Sequence, residues 1–166
     1  RTDPAALKTA MAYGAVVALG ERDCSLQRRH QKLVEEAPAP GLSEAQRRHL
    51  HGLAIRLGRE AGLRSAATCE FLYDPDGNFW FLEVNTRLQV EHGVTEEVTG
   101  IDLVEWMIRL AADGTFPDRA PEPRGHSIQV RLYAEDPQKN FQPSAGLVTE
   151  VRFPDGVRCD HWVAAG

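Results

Sequence analysis

Between Glu83 and Glu91 every second residue carries a functional group: Glu83, Asn85, Arg87, Gln89 and Glu91, with Val84, Thr86, Leu88 and Val90 between them. In an extended chain alternate side chains share a face. One face then presents carboxylates, amides and a guanidinium, and the other, mostly apolar, anchors to a core. Carboxylate and amide oxygens suit Mg²⁺ or Mn²⁺, which keep water and phosphate oxygens as further ligands. A guanidinium offers a planar fork to a phosphate, a carboxylate or bicarbonate. Glu91, four residues beyond Arg87, is placed to act as a base toward a bound oxyacid. Two simpler readings stand beside this one: an amphipathic strand with its polar side in water, and Arg87 paired with Glu91.

A further acidic residue comes from a hairpin. Thr68–Tyr73 and Phe79–Val84 read as strands around Asp74-Pro75-Asp76-Gly77-Asn78. With Asp76 and Gly77 as the two central turn residues, Glu70 lies opposite Glu83, Phe71 opposite Leu82, Leu72 opposite Phe81 and Tyr73 opposite Trp80. Like charges face to face weaken a ladder unless both are hydrated, one is protonated or a cation lies between them. Glu70, Glu83 and Asn85 are therefore the candidate metal ligands. Lys32 is either a point charge for a phosphate or a solvated lysine. Arg131, on a strand that carries Ser127, Gln129 and Tyr133 on the same face, is either a site residue or an exposed arginine.

The elements that position these groups read as follows. Ala5 to Gly20 is Ala-rich and forms a short helix or strand, with Val16–Leu19 as strand candidate. Residues 21–32 are too polar for a core. Pro38 and Pro40 mark an extended connection. Ser43 caps a helix, with Gln46 completing a capping box. Leu50, Leu53, Ala54, Leu57 and Ala61 form its apolar stripe, and Gly62 ends it. A second helix spans about Asp102 to Ala112, with Leu103, Trp106, Met107 and Leu110 inward. Pro117–Pro123 is a loop. Ser127–Tyr133, Leu147–Phe153 and Val157–Val163 are strand candidates. The fold class is α+β with mainly antiparallel pairing.

Composition limits the partners. The 166 residues are 42% hydrophobic and 26% charged, with 19 basic against 24 acidic side chains and a net charge of −5. That argues against a generally basic nucleic-acid or membrane-surface binder. No apolar stretch approaches the ~18 residues of a membrane span. Cys24, Cys69 and Cys159 fit neither a disulfide framework nor a zinc site, so a reducing, cytoplasmic setting is expected. The sequence has no G-x-x-x-x-G-K-[ST] or G-x-G-x-x-G loop, no H-E-x-x-H and no G-x-S-x-G.

Three runs carry a resemblance: Glu21–Lys32 (ERDCSLQRRHQK), Glu83–His92 (EVNTRLQVEH) and Arg131–Asp136 (RLYAED). Over about residues 14–166 the chain resembles the biotin carboxylases of the ATP-grasp superfamily. Within that family His92–Glu96, Gly100–Trp106 and Phe141–Gly146 look most like the urea carboxylase part of urea amidolyases. Gly93 stands where most relatives have Pro. Biotin carboxylases of acyl-CoA or pyruvate carboxylases are alternatives, as is a non-catalytic assembly or dimerisation fragment.

The resemblance implies a partial ATP-grasp domain at 14–116, its C-terminal half with a mainly antiparallel sheet. It implies the start of the biotin carboxylase C-terminal subdomain at 117–166, and leaves 1–13 unmatched. It implies ATP, Mg²⁺ or Mn²⁺, bicarbonate, and biotin on a carrier domain. A carboxyltransferase domain and a homodimer are the other implied partners. Glu70 and Glu83 would hold the metal beside Asn85. Arg87, Gln89 and the Val90 backbone would hold bicarbonate, Glu91 would deprotonate it, and Lys32 would steady the charge. Gln27 and His30 would contact the ribose, Leu72 would line the base pocket, and Arg131 would stabilise the biotin enolate. The family's Rossmann-like domain, glycine-rich lid and upstream lysines are not among these residues. The expectation is therefore half of an active site, inactive alone.

Overall fold

The computed structural model describes residues 5–12, 15–114 and 119–166. The chain forms two compact units, Arg1–Arg131 and Leu132–Gly166. The first unit contains β1 (Ala5–Ala12), β2 (Ala15–Arg28), β3 (Gln31–Ala37), α1 (Glu44–Glu60), β4 (Ala67–Tyr73), β5 (Phe79–Asn85), α2 (His92–Thr99), α3 (Leu103–Asp113) and β6 (Ser127–Val130). Its strands form one sheet in the order β5-β4-β1-β2-β3-β6, with every pairing antiparallel. The α+β expectation holds. Residues 1–4 and 13–14, and the start of the loop expected from Pro117, lie outside the described residues.

α1 forms as its sequence requires. Ser43 and Gln46 close the capping box, and Ala61 and Gly62 end the helix, Gly62 at φ +58°. Leu50 and Ala54 bury against Cys69 and Phe71 of β4, with Leu53, Leu57, Phe79 and Val84 around them. A second cluster joins Val17 and Leu19 of β2 to Leu103 of α3, flanked by Leu88 and Trp106. A third joins Ala37 to Val94 and Val98, one turn apart on α2.

Residues 21–28, expected to lie outside the core, continue β2, and Arg22 is fully buried. The cause is a bulge. The β1–β2 register moves by one between Leu7 and Thr9, opposite Gly20 at φ +92°. A one-residue shift exchanges the faces of a strand. Val17 and Leu19 thus pack toward Leu103, while Glu21 reaches Arg47 and His51 of α1, and Arg22 reaches Thr95 of α2. Buried charges persist because each meets a partner.

The hairpin differs from the expected register in two places that cancel. Gly77 N–H donates to the Asp74 carbonyl and Asp74 N–H to the Asn78 carbonyl, so the loop holds three residues, with Gly77 at φ +88°. Tyr73 therefore pairs with Phe79, Leu72 with Trp80 and Phe71 with Phe81, rather than with the residues expected. A bulge at Leu82 then adds one residue, and Glu70 pairs with Glu83 after all. Without that bulge Glu83 would stand opposite Cys69, on the face that α1 covers.

The run from Glu83 to Glu91 does not stay extended. β5 ends at Asn85, the chain bends, and Glu91 is the N-cap of α2, a helix that the strand-like alternation concealed. Gln89 and Glu91 are buried, while Val90, expected to anchor, is exposed.

The second unit holds β7 (Glu135–Asp136), a 3₁₀ turn (Pro137–Lys139) and β8 (Gln142–Pro143), which pairs antiparallel with β7. The strand expected over Ser127–Tyr133 stops at Val130, and Leu147–Phe153 and Val157–Val163 form no ladder among the described residues. Apolar alternation alone does not make a strand; it needs a neighbour to bond and a surface to cover. Leu147, Val157 and Trp162 lie exposed. Among the described residues no helix is long and apolar enough to cross a membrane.

Candidate functional site

The site is built around two carboxylate centres. Glu70 Oε1 accepts from Lys32 Nζ at 2.6 Å, from Asn85 Nδ2 at 3.4 Å and from Gln89 Nε2 at 3.5 Å. The same Asn85 nitrogen donates to Glu83 Oε1 at 2.7 Å. Glu70 and Glu83 are thus joined through one amide group, and their oxygens lie no farther apart than the two bonds together reach. Strand pairing places the two acids, and the last residue of β5 places the amide.

Glu91 is the second centre. Lys32 Nζ lies 2.9 Å from its Oε1, Arg22 Nη2 3.6 Å from the same oxygen, and Arg131 Nη2 2.8 Å from Oε2. Lys32 therefore bridges Glu70 and Glu91. Burial alone would raise the Glu91 carboxyl, but Arg22 and Lys32 outweigh it and hold it below its ordinary range. Burial would likewise lower the Lys32 ammonium, yet its bonds to Glu70 and Glu91 hold it above its ordinary value. Burial lowers the Arg22 guanidinium and pushes the neighbouring Cys24 thiol up to about 12, so this cysteine is a neutral, buried thiol.

Arg87 does not pair with Glu91; its Nη1 donates to the Leu88 carbonyl at 3.2 Å. Gln89 accepts from Arg22 at 3.5 Å, and the Val90 carbonyl accepts from Gln129 at 3.2 Å. Arg131 is no exposed arginine: only 17% of its side chain is open to solvent. Gln27, whose amide donates to the Cys24 carbonyl, His30, in the β2–β3 turn at φ +66°, and the half-exposed Leu72 make no hydrogen bond or ion pair with Glu70, Glu83 or Glu91.

The arrangement offers acidic oxygens at one end, an ionised carboxylate ringed by cations at the other, and an ammonium between them. Comparison with known proteins fits it. The family model for the ATP-binding domain of the carbamoyl-phosphate synthase L chain matches residues 9–119, and that for the biotin carboxylase C-terminal domain matches 129–166. This chain belongs to the biotin carboxylase family of ATP-grasp proteins. It is 55% identical to urea amidolyase of Saccharomyces cerevisiae over 157 residues, covering 93% of this chain and 9% of the relative. The crystal structure of Kluyveromyces lactis urea carboxylase superposes with a TM-score of 0.94 at 50% identity, over 99% of this chain and 15% of that one. The biotin carboxylase domain dimer of Hydrogenobacter thermophilus 2-oxoglutarate carboxylase, solved with MgADP, ADP and bicarbonate, gives 0.89 at 44% identity, over 93% of this chain and 35% of that one. The chain thus spans a third or less of the length of most of these relatives.

For a biotin carboxylase, the residues that the motifs alone did not single out are those behind the front row: Arg22, Glu35, Thr95 and Gln129. Arg22 stands inside the first motif, in a run too polar for any local pattern to mark it as buried. Glu35 and Gln129 face each other in the β3–β6 ladder, a pairing that no local pattern reveals.

Proposed function

We propose that this chain supplies the metal, bicarbonate and base groups of an ATP-dependent biotin carboxylase, a carbon–nitrogen ligase, in its urea carboxylase branch. The observation that carries the reading is the ring of Arg22, Lys32 and Arg131 around Glu91, adjoining the Glu70–Asn85–Glu83 cluster. The likeness to urea amidolyase and urea carboxylase supports the branch.

The donor set fits a divalent ion. Two carboxylates converge on one amide, all hard oxygen ligands once the amide turns, and such a set suits Mg²⁺ or Mn²⁺. Glu70 and Glu83 would hold the ion, with Asn85 beside them. When bound, ATP supplies the phosphoryl group that activates bicarbonate as carboxyphosphate, the ion neutralises phosphate charge, and biotin on a carrier domain accepts the carboxyl. Arg87, Gln89 and the Val90 backbone bind bicarbonate. Glu91 takes its proton at a carboxylate oxygen, and Lys32 and Arg22 balance the anion that results. Arg131 would stabilise negative charge on the biotin. Gln27 and His30 serve the ribose, and Leu72 the base. A carboxyltransferase domain, a homodimer and a cytoplasmic setting complete the proposal, the last supported by three free cysteines.

The test is ATP-dependent phosphate release with free biotin and bicarbonate by the full-length protein. Glu83→Gln and Glu91→Gln are each expected to lose at least about a hundredfold in kcat. Wild-type rates in both would overturn the reading.

A further inference from the structure

Behind Arg131 lies a carboxylate with no part in the chemistry so far. Glu35 is fully buried on β3. It pairs across the ladder with Gln129, which makes Arg131 its diagonal neighbour on the same face, within reach of a long side chain. The next register position is closed by the Arg131 N–H, which donates to the Leu33 carbonyl at 2.9 Å. Arg131 Nε and Nη2 both lie 2.7 Å from Glu35 Oε1. The same Nη2 lies 2.8 Å from Glu91 Oε2. One guanidinium nitrogen therefore bridges two carboxylates, one buried behind it and one in the site.

We propose that Glu35 is a positioning residue: it fixes the plane of the Arg131 guanidinium so that Nη2 is aimed at Glu91. The inference rests on the assignment of Arg131 and Glu91 to the reacting site. Stability alone does not account for Glu35. Its second oxygen, Oε2, is buried without a hydrogen-bond partner, and a buried ion pair with an unsatisfied oxygen is a weak source of stability. Burial in fact pushes the Glu35 carboxyl up despite Arg131 beside it. A charge kept under that penalty is explained by what it orients. A guanidinium has five donors and no preferred partner in a site that also contains Glu70 and Glu83. With Nε and one Nη2 direction committed to Glu35, the rotation that would turn the fork away from Glu91 is blocked. Gln129, next along the inward face of β6, holds the Val90 carbonyl in the same way, so one strand edge orients two neighbouring parts of the site.

The experiment is a double-mutant cycle in the full-length protein, assayed for biotin-dependent phosphate release: Glu35→Gln, Arg131→Gln and the two together, with thermal midpoints measured alongside. Glu35→Gln keeps the shape and removes the charge. Its kcat is expected to fall about tenfold while KM for ATP stays within about twofold, and in the Arg131→Gln background it is expected to cause no further loss. Glu35→Asp, which keeps the charge one methylene shorter, is expected to recover part of the rate, and it carries the test should the Gln variant not fold. Wild-type kcat in Glu35→Gln beside an impaired Arg131→Gln overturns the proposal and leaves the function intact. An equal loss from Glu35→Gln in both backgrounds also overturns it, because a merely structural role acts whether or not Arg131 is present. Full activity in Arg131→Gln removes the site assignment and the proposal with it.

Discussion

Glu70 and Glu83 stand opposite each other on β4 and β5, and both accept from the single amide nitrogen of Asn85. The pairing depends on the bulge at Leu82, which puts Glu83 on the face of Glu70 and not on the face of Cys69. Two acids directly across a ladder repel, so the fold places compensating donors around them, and Lys32 is the charged one.

Lys32 is therefore expected to matter for folding as well as for turnover. Lys32→Met leaves Glu70 and Glu91 without their shared cation. A loss of about 2–3 kcal/mol is expected at neutral pH, below the full value for a buried pair because the lysine is partly exposed. Chemical denaturation of the full-length protein checks it. A change under about 0.5 kcal/mol would mean that Lys32 is a solvated surface group.

Glu91 gives a pH dependence with a definite sign. Its folded-state carboxyl lies below the ordinary value of 4.5. Its charge thus contributes stability that is present above about pH 4.5 and lost as pH falls through the lower folded value. The groups that face it are Arg22 and Cys24 from β2, Lys32 and Glu35 from β3, and Arg131 beyond β6. Stability curves for wild type and Glu91→Gln are expected to lie apart at pH 7 and to converge below that window. Parallel curves down to strong acid would contradict the assignment.

Helix α1 rests on its cap. Ser43→Ala removes the side-chain acceptor for the Gln46 N–H and the hydroxyl that donates to Gln46 Oε1, leaving only the backbone half of the box, and about 1 kcal/mol of stability is expected to go with them. Equilibrium unfolding measures this directly. Because α1 lies on the core face of β4, binding of a metal ion to folded protein is expected to be unaffected.

Gly77 sits at φ +88°, a conformation that L side chains rarely adopt. A Cβ there would meet Gln46 Nε2 at 3.5 Å, an ordinary contact. Gly77→Ala is therefore expected to cost about 1 kcal/mol through backbone strain alone. A neutral result in the unfolding midpoint would show that the three-residue loop is not what sets the hairpin.

The parts of this fold visible in the sequence are those with local causes. The capping box of α1, its apolar stripe, the Asp102 cap of α3 and the turn after Tyr73 each need only a few neighbouring residues. A two-residue turn, which does not form, predicts the Glu70–Glu83 pair, and the pair survives because the bulge at Leu82 offsets the longer loop. Bulges leave little local trace, and the one opposite Gly20 hid the burial of Arg22. The alternation from Glu83 to Glu91 suggested one polar strand face, whereas a bend after Asn85 and the start of α2 bring Gln89 and Glu91 inward by another route. Glu35 lies farthest from what the sequence shows, since its role exists only once β3 pairs with β6, some 96 positions along the chain.

The most direct test is the affinity of the full-length protein for Mn²⁺ in the presence of ADP, followed by electron paramagnetic resonance, for wild type, Glu70→Gln and Glu83→Gln. If acids from two neighbouring strands share one ion, each variant binds at least about tenfold more weakly, a loss of about 1.4 kcal/mol. Wild-type affinity in both variants would contradict it and leave Glu70 and Glu83 as a structural pair.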